Sequence, residues 1–294
     1  MSAAPSLAVP SFTVLLPVHR GPDFLPFAIE SVLAQQRDDF ELFVICDGAP
    51  PATGQCARGF AAIDPRVQVF DLPKGERNGE LHRDVALSTA RGIYVCQIAD
   101  DDLWFPDHLD EMTQLLVTCD FGNLTQTDVV PDGRLASHIY DLSHLPTIQR
   151  MLTERFNFFG PTVCGYRLDA YRRLAERWAP APSDIWSDLY MWRKFLSAPA
   201  MSLATRHVIT SLSFPTPDRR GWTIADRRAE IERYAEEART AAGRSRIRAD
   251  ALRHTATHLA DERYELLVLR RKRYLHRVVG KVRRVLRRVF GTGD

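Results

Sequence analysis

The segment IYVCQIADDD, residues 93–102, joins a predicted buried strand to a cluster of negative charge. Residues 93–98 are mainly apolar, which predicts a strand covered on both faces of a sheet. The strand is followed by three consecutive carboxylates, Asp100, Asp101 and Asp102, which repel one another. A divalent cation would remove that repulsion, because Mg²⁺ and Mn²⁺ prefer carboxylate and phosphate oxygens. The alternative interpretation is a solvated helix N-terminus, where aspartate is also favoured.

Strand and helix patterns alternate in the chain before this segment. Apolar runs predict strands at 12–16, 41–46 and 67–70, and helical spacing predicts helices at 23–36, 53–62 and 79–91, the last capped by Gly92. This alternation predicts an α/β fold with a mostly parallel sheet flanked by helices. Ligands of such sheets bind beyond the carboxyl ends of the strands. Polar residues lie at those ends in PVH (17–19), in DG (47–48) and in the aspartate triplet.

The pattern after residue 121 is weaker and becomes helical towards the end. A turn is predicted at 131–134 between two strands, helices are predicted at 143–155, 167–178 and 184–197, and residues beyond Trp222 are helical almost to the end. The chain has 294 residues, of which 45% are hydrophobic and 26% charged, so it is not a largely disordered protein. No apolar run approaches the roughly 18 residues of a transmembrane helix, and no signal peptide is expected. Five scattered cysteines without a CxxC pair predict free thiols in a reducing cytoplasm.

From Phe12 to about Leu116 the chain resembles the family 2 glycosyltransferases. The matching segments are VLLPVH (14–19), AIESVLAQ (28–35), FELFVICDG (40–48), HRD (82–84) and ARGIYVCQIADDDLWFP (90–106). The resemblance implies a Rossmann-like GT-A fold and transfer of a sugar, with inversion, from a nucleoside-diphosphate donor to a hydroxyl of a glycan or lipid-linked acceptor. It also implies a donor-binding half at 11–130, an acceptor-binding half at 131–225 and a helical extension at 226–294. Bacterial envelope or polysaccharide synthesis is the commonest setting of the family.

The resemblance assigns the donor site to residues near the carboxyl ends of the strands. Asp47 would accept a hydrogen bond from the nucleotide base, and Asp100 would hold the ribose. The remaining nucleotide contacts would come from Pro17, His19 and Arg83. Asp101 would bind the Mn²⁺ or Mg²⁺ that bridges the diphosphate. Asp102 is the alternative ligand, because Ala99 stands where the family commonly has another aspartate.

A carboxylate base is expected in the second half of the chain, because the attacking hydroxyl must lose its proton. The segment IWSDLYMWR, residues 185–193, resembles the family's Glu-Asp segment at the start of a helix, with Ser187 in place of the glutamate. Asp188 is therefore the predicted base and Asp184 the reserve candidate. Trp186 and Trp192 are candidates for stacking on sugar rings, although aromatics at helical spacing are more often core residues.

Three further segments carry weaker expectations. Residues 160–165 resemble a strand that the family places against the donor sugar or the acceptor. His207 is more consistent with an ordinary strand histidine than with a metal ligand. Arg219 and Arg220 follow two prolines and are predicted to form a flexible loop that closes over the donor diphosphate.

The end of the chain is strongly basic. Residues 263–294 carry nine Arg and two Lys against two acidic residues, a net charge of +9, whereas the first 262 residues carry −7. Apolar residues recur at three- and four-residue steps from Leu275 to Val289, which predicts a basic amphipathic helix at 263–290. Such a helix fits the anionic inner surface of a membrane. Packing on the body or on another subunit is the alternative, and nucleic acid is a poorer third because the body is acidic.

These observations predict a cytoplasmic enzyme, peripheral at the inner face of the membrane. One rival is a nucleotidyltransferase acting on sugar phosphates, although PVHRGP (17–22) is a poor phosphate loop. The other rival is a catalytically inactive GT-A-like module with a binding or scaffolding role, which Ala99 and Ser187 leave open.

Overall fold

The computed structural model describes residues 10–290, apart from the side chains of residues 262, 266, 268 and 271–290. The strands are β1 (Phe12–Val18), β2 (Phe40–Asp47), β3 (Val67–Leu72), β4 (Tyr94–Gln97), β5 (Leu103–Trp104), β6 (Phe121–Leu124), β7 (Thr127–Val129), β8 (Leu135–Ser137), β9 (Cys164–Arg167), β10 (Leu203–Arg206) and β11 (Ser211–Leu212). Seven of them form one sheet in the order β10-β6-β9-β4-β1-β2-β3. Two short ladders, β5 with β11 and β7 with β8, lie outside it.

The first four sheet strands are parallel, as their apolar sequences predict. In β1 and β2 nearly every residue is buried, because helices cover both faces of the sheet. The register pairs Phe12 with Phe40 and Val18 with Cys46, so the two strands end at the same edge. β4 pairs in parallel with the other side of β1. The predicted α/β fold with a mostly parallel sheet is therefore confirmed.

Strand β9 joins the second half of the chain to this sheet. It lies between β4 and β6 and runs antiparallel to both of them. The turn of 3₁₀-helix before it, Pro161–Val163, lies close to the end of β4, since Thr162 Oγ1 accepts a hydrogen bond from the amide of Ala99. The two halves of the chain consequently share one sheet and meet at the aspartate triplet.

The helices are shorter than predicted in two places. Their bounds are α1 (Leu25–Leu33), α2 (Pro51–Ile63), α3 (Glu80–Leu87), α4 (His108–Leu116), α5 (Leu145–Thr153), α6 (Leu168–Arg172), α7 (Ser187–Ser197), α8 (Ile224–Arg239) and α9 (Ala241–Phe290). Gly92 lies beyond the end of α3 and does not cap it. A Cβ at Gly92 would collide with the backbone of Thr13, so glycine permits the close approach to β1. α6 ends early, and the buried Trp178 that follows donates its amide hydrogen to the Tyr171 hydroxyl.

The first part of the helical extension packs against the α/β body. Ile231 and Tyr234 of α8 and Ile247 and Ala251 of α9 are buried in a second apolar cluster, which also contains Phe24 and Phe214. This cluster lies beside the main core of the sheet. The apolar stripe predicted from Leu275 to Val289 lies outside the residues whose side chains are described. Across the part of the chain that the structure describes, no helix is both long and apolar enough to cross a bilayer.

The burial of His108, at the start of α4, predicts that the free energy of unfolding depends on pH. Its ring stacks on Trp104 with centroids 4.0 Å apart, and Nδ1 lies 2.8 Å from Thr210 Oγ1. Burial lowers the pKa of His108 to about 3, whereas an unfolded histidine titrates near 6.5. The unfolded chain therefore takes up the proton first, and the free energy of unfolding should fall by about 1.4 kcal/mol per pH unit below about 6.5.

Urea unfolding at pH 7 and pH 5 measures this loss. We expect His108→Gln to remove about 2 kcal/mol of the pH dependence between pH 6.5 and 5. His207→Gln is the control, because His207 is exposed and pairs with Asp141. A His108→Gln protein with the wild-type pH dependence would contradict the assignment.

Candidate functional site

Two adjoining clefts lie beside the carboxyl end of β4. The larger has a volume of about 690 Å³ and the smaller about 190 Å³. Gln126, Gly160, Pro161 and Pro215 line both of them. Asp101 lines the smaller cleft and Asp188 the larger. The two carboxylates with the most distinct predicted roles therefore border one continuous depression.

Asp102 is bonded within the protein. Its Oδ2 accepts hydrogen bonds from the hydroxyls of Thr162 and Ser213, and its Oδ1 accepts the amide hydrogen of Phe214 at 3.1 Å. Burial and the neighbouring charge of Asp101 raise the pKa of Asp102 to about 8. Asp102 thus joins β4 to the two later segments through both of its oxygens. Asp101, which lines the same smaller cleft, is held instead by ion pairs with Arg20 and Arg227, so it is the carboxylate that positive charge already approaches.

Asp100 and Asp101 form ion pairs with two arginines, Arg20 and Arg227. Arg20 binds Asp100 through Nε at 2.6 Å and Asp101 through a terminal nitrogen at 2.8 Å. Arg227, from α8, binds the other oxygen of Asp101 at 2.8 Å. Both guanidinium groups lie over the ring of Phe24, at 5.4 Å and 4.6 Å from its centroid. The negative charges of Asp100 and Asp101 are therefore already balanced by two positively charged side chains.

The carboxylates of this site fit a cation that takes several of its ligands from substrate and water. Among the residues whose side chains the structure describes, no group of three or more His, Cys, Asp or Glu is arranged to hold a metal ion. Mg²⁺ and its relatives bind through one or two carboxylates, with substrate phosphates and water completing the shell. Asp101, 7% exposed at the edge of a cleft, supplies such a carboxylate.

Asp47, the last residue of β2, is held in the ionised form. Its carboxylate pairs with Lys74, accepts the amide hydrogen of Gly75 at 2.6 Å and lies 3.4 Å from His82 Nε2. Burial opposes ionisation, but the bonds from Lys74 and Gly75 hold the pKa of Asp47 below its usual range. Gly79 has a φ of +63°, and a Cβ there would lie 2.5 Å from the Asp47 carboxylate, so only glycine fits this approach. Both oxygens of Asp47 are therefore bonded within the protein, and the residue is 3% exposed.

Arg83 lines the larger cleft and is not an exposed helix arginine. Its guanidinium donates to the carbonyl of Asn78 at 2.9 Å and lies 5.0 Å from the ring of Trp178. Its Nε is buried without a partner among the described residues. A buried donor without an acceptor is costly, which is consistent with a ligand-binding position. Pro17, near the end of β1, is half-buried, and His19, directly after the strand, is exposed.

Asp188 lies in the first turn of α7 and faces the larger cleft. Its Oδ2 accepts a hydrogen bond from Asn157 Nδ2 at 2.9 Å. Burial raises the pKa of Asp188, against the lowering effect of the bonds from Leu189 and Asn157. A base with a raised pKa accepts a proton more readily. Asp184, the reserve candidate, is exposed.

Ser187, which stands in place of the family's glutamate, links the start of α7 to the start of α3. Its hydroxyl donates to the buried Glu80 carboxylate at 2.5 Å and accepts a hydrogen bond from Asn78 Nδ2 at 2.7 Å. Glu80 opens α3, so this contact holds the start of α7 beside Arg83. A carboxylate is thus present near Asp188, but it comes from a different helix.

Two expectations about side chains are wrong. Trp192 is fully buried and packs against Phe121 and Phe159, so it belongs to the core and cannot stack on a sugar. Trp186 is 44% exposed and lines the larger cleft, and so stays a candidate. Arg219 does not lie in an open loop: it is buried, pairs with Glu230 of α8 and donates to the carbonyl of Val129.

The Arg219–Glu230 pair predicts a large effect on stability. Removing one partner of a buried pair leaves an uncompensated charge, so Arg219→Ala should lower the free energy of unfolding by about 3 to 5 kcal/mol. The exposed neighbour Arg220 provides the control, and Arg220→Ala should stay within about 0.5 kcal/mol of the wild type. Chemical denaturation measures both. Equal effects of the two substitutions would contradict a structural role for Arg219.

Several residues that border the site were not predicted from the sequence. Arg20 and Arg227 contact the aspartate triplet, and Gln126, Asp128, His138, Arg155 and Asn157 line the larger cleft. Arg20 follows His19 directly, so its position after β1 was a usable signal. The others come from irregular segments or from α8, and no local pattern marks them.

The comparisons with known proteins agree with this geometry. Residues 13–175 match the model of Glycosyl transferase family 2. The succinoglycan biosynthesis protein ExoW of Rhizobium meliloti is 27% identical over 164 residues, covering 50% of this chain and 51% of that protein. The putative teichuronic acid biosynthesis glycosyltransferase TuaG of Bacillus subtilis is 25% identical over 126 residues, covering 42% of this chain and 50% of that protein. The chain thus spans about half the length, or less, of these and the other first curated relatives.

Solved structures share the fold. The S. aureus TarS fragment 1-349 in complex with UDP-GlcNAc superposes with a TM-score of 0.53 at 16% identity, over 78% of this chain and 66% of that one. The mannosyltransferase PcManGT of Pyrobaculum calidifontis, in complex with GDP-Man and Mn²⁺, gives a TM-score of 0.52 at 18% identity, over 85% of this chain and 70% of that one. The family model covers more than half of the chain. The chain therefore belongs to Glycosyl transferase family 2.

Proposed function

We propose that the protein is a cation-dependent, inverting glycosyltransferase that moves a sugar from a nucleoside diphosphate to an acceptor hydroxyl. The observation that carries the proposal is that Asp101 and Asp188 border adjoining clefts beside the carboxyl end of β4. One carboxylate is placed to hold a cation beside a diphosphate, and the other to take a proton from an acceptor. The donors named for TarS and PcManGT support a nucleotide-sugar ligand.

The proposed donor site uses the residues that the family resemblance assigns. Asp47 would accept a hydrogen bond from the base, while Pro17 and His19 would line the base and ribose. Asp100 would bind the ribose hydroxyls. Arg83 would donate to the donor from its Nε, which has no partner among the described residues. Asp101 would hold the Mn²⁺ or Mg²⁺, which would supply positive charge against the leaving diphosphate.

Asp188 is the proposed base. It is ionised when the acceptor binds, takes the proton of the attacking hydroxyl and is oriented by the hydrogen bond from Asn157. The hydroxyl attacks the face of the sugar opposite the diphosphate, which inverts the anomeric carbon. Trp186, exposed at the same cleft, supplies a surface on which a sugar ring can stack.

The acceptor is proposed to be a glycan or a lipid-linked glycan in polysaccharide synthesis, which is the setting named for the relatives ExoW and TuaG. Residues 11–130 bind the donor and residues 131–225 the acceptor, and 226–294 form the extension. The basic segment 263–290 would hold the enzyme at the inner face of the cytoplasmic membrane. The side chains that would make most of that contact lie outside the described residues.

A thermal-shift screen of UDP, GDP, dTDP and their sugars, with and without Mn²⁺, tests the proposal. A ligand at 100 times its Kd stabilises the native state by about 2.7 kcal/mol, a rise in Tm of about 5 to 10 °C. We expect one nucleotide to give this rise and to depend on Mn²⁺. No shift with any nucleotide would reject the donor site and favour a scaffolding module. A shift with a nucleoside triphosphate and a sugar phosphate would favour a nucleotidyltransferase.

A further inference from the structure

Arg227 lies in a position that the sequence resemblance does not reach, because the family model ends at residue 175. The start of α8 is fixed by a capping box in which Thr223 and Asp226 bond each other's backbone. Arg227 follows directly and turns inward, with its side chain 11% exposed. One terminal nitrogen binds Asp101 at 2.8 Å and Thr216 at 3.2 Å.

One hydrogen-bond donor of Arg227 has no partner. Its Nε is buried and has no hydrogen-bond partner among the described residues. A guanidinium has five N–H donors in a planar fork that suits phosphate oxygens. The group is also held in place by the Phe24 ring, 4.6 Å from the guanidinium carbon. Asp101 and Thr216, which Arg227 contacts, line the smaller cleft, so this oriented arginine lies next to that cleft and is suited to an anionic ligand.

The charges of the site balance both without ligand and with a donor and a cation bound. Without ligand, Asp100 and Asp101 are balanced by Arg20 and Arg227. A nucleoside-diphosphate sugar carries two negative charges on its diphosphate, and a divalent cation carries two positive charges. If the cation takes Asp101, the displaced guanidinium can take a phosphate oxygen, and the site stays neutral without a buried unpaired charge.

We propose that Arg227 is a diphosphate ligand that occupies the cation's place on Asp101 until the donor arrives. This inference rests on the proposed function and adds a residue of α8 to the donor site. The cation and Arg227 compete for Asp101 in the free protein. With donor bound, Arg227 donates to the diphosphate, and its charge also stabilises the diphosphate that leaves with one more negative charge.

The substitution Arg227→Ala tests the proposal, because it should change the Kd of Mn²⁺ and the Kd of the nucleoside diphosphate in opposite directions. In Arg227→Ala, Mn²⁺ alone should bind about 10-fold more tightly than in the wild type, because its competitor is gone. The nucleoside diphosphate that shifts the wild-type Tm should bind about 10-fold more weakly at saturating Mn²⁺, because a phosphate donor is gone. Mn²⁺ binding is measured by electron paramagnetic resonance of the free ion, and nucleotide binding by calorimetry.

Arg228→Ala is the matched control. Arg228 is the next residue of the same helix, is exposed and binds the Asp23 carbonyl and the Phe27 ring. Its removal changes the net charge equally and should leave both constants unchanged. Arg227→Gln, which removes the charge but keeps a hydrogen-bond donor and the carbon chain as far as Cδ, repeats the Mn²⁺ measurement if the alanine variant is poorly folded.

Each outcome decides the matter. Tighter Mn²⁺ and weaker nucleotide binding in Arg227→Ala, with an unchanged Arg228→Ala, support the exchange. Unchanged constants, or weaker binding of both ligands, overturn it, because a merely structural arginine would not produce opposite signs. If the wild type binds no nucleoside diphosphate, the proposed function fails, and this inference fails with it.

Discussion

Replacing Asp188 by Asn should lower kcat by about 10²- to 10⁴-fold and leave the Kd for the donor nucleotide unchanged. The acceptor hydroxyl would lose its base, whereas the donor contacts at Asp47, Arg83 and Asp101 would stay intact. The amide oxygen of the new side chain can still accept the hydrogen bond from Asn157, so the fold should tolerate the change. Turnover is measured as release of nucleoside diphosphate in the presence of acceptor, and binding is measured separately by calorimetry.

Asp184→Asn is the control for this experiment. Asp184 lies four residues before Asp188 but is exposed, so its substitution should leave both kcat and donor binding at wild-type values. Because burial raises the pKa of Asp188, the wild-type rate should also fall towards acid pH at a value above the ordinary carboxylate pKa of about 3.9. A loss of activity in Asp184→Asn, with Asp188→Asn still active, would transfer the role of base to Asp184.

Replacing Asp101 by Asn should abolish the Mn²⁺-dependent part of nucleotide binding. An amide is a poor ligand for a hard cation compared with a carboxylate, and the diphosphate would lose the charge that the cation contributes. We expect the Kd of the nucleoside diphosphate at saturating Mn²⁺ to rise about 100-fold. Without Mn²⁺, the weak binding of the nucleotide should change little, because Asp47 and Arg83 are unaffected.

Two comparisons make this prediction specific. Asp132→Asn removes a carboxylate from the β7–β8 turn, where Asp132 pairs with Arg134, and should leave nucleotide binding unchanged. Asp102→Asn should act mainly on stability, because Asp102 accepts three hydrogen bonds from the protein. If Asp102→Asn, in a folded protein, abolished the Mn²⁺ effect and Asp101→Asn did not, Asp102 would be the cation ligand.

The parallel part of the fold could be predicted because its information is local. The apolar runs of β1, β2 and β4 are too hydrophobic for any place except a sheet covered on both faces. Parallel strands end at one edge, so the polar residues after them were expected to converge. The structure bears this out for Asp47 and the aspartate triplet.

Other features depend on contacts between residues far apart in the sequence. Asp100, Asp101 and Asp102 are neighbours in the sequence, yet Asp102 is bonded by the hydroxyls of Thr162 and Ser213, whereas Asp101 pairs with Arg20 and Arg227. Trp186 and Trp192 lie on the same segment, but one is exposed and the other is covered by Phe121 and Phe159. Helical spacing alone does not show which face of α7 will be buried.

The sequence by itself determined the α/β class, the parallel strands and the family to which the chain belongs. Only the tertiary structure decided that Arg219 is a buried partner of Glu230 and that Arg227 lies on Asp101. The physical reason is that strand formation follows from short apolar runs, whereas the burial and the partner of a charged side chain are set by the packing of segments that are distant in the sequence. Arg219 is buried against Val129, 90 residues away, although Glu230 is only 11 residues away. The pairing of Asp101 with Arg227, across 126 residues, is the example with the most direct consequence for donor binding.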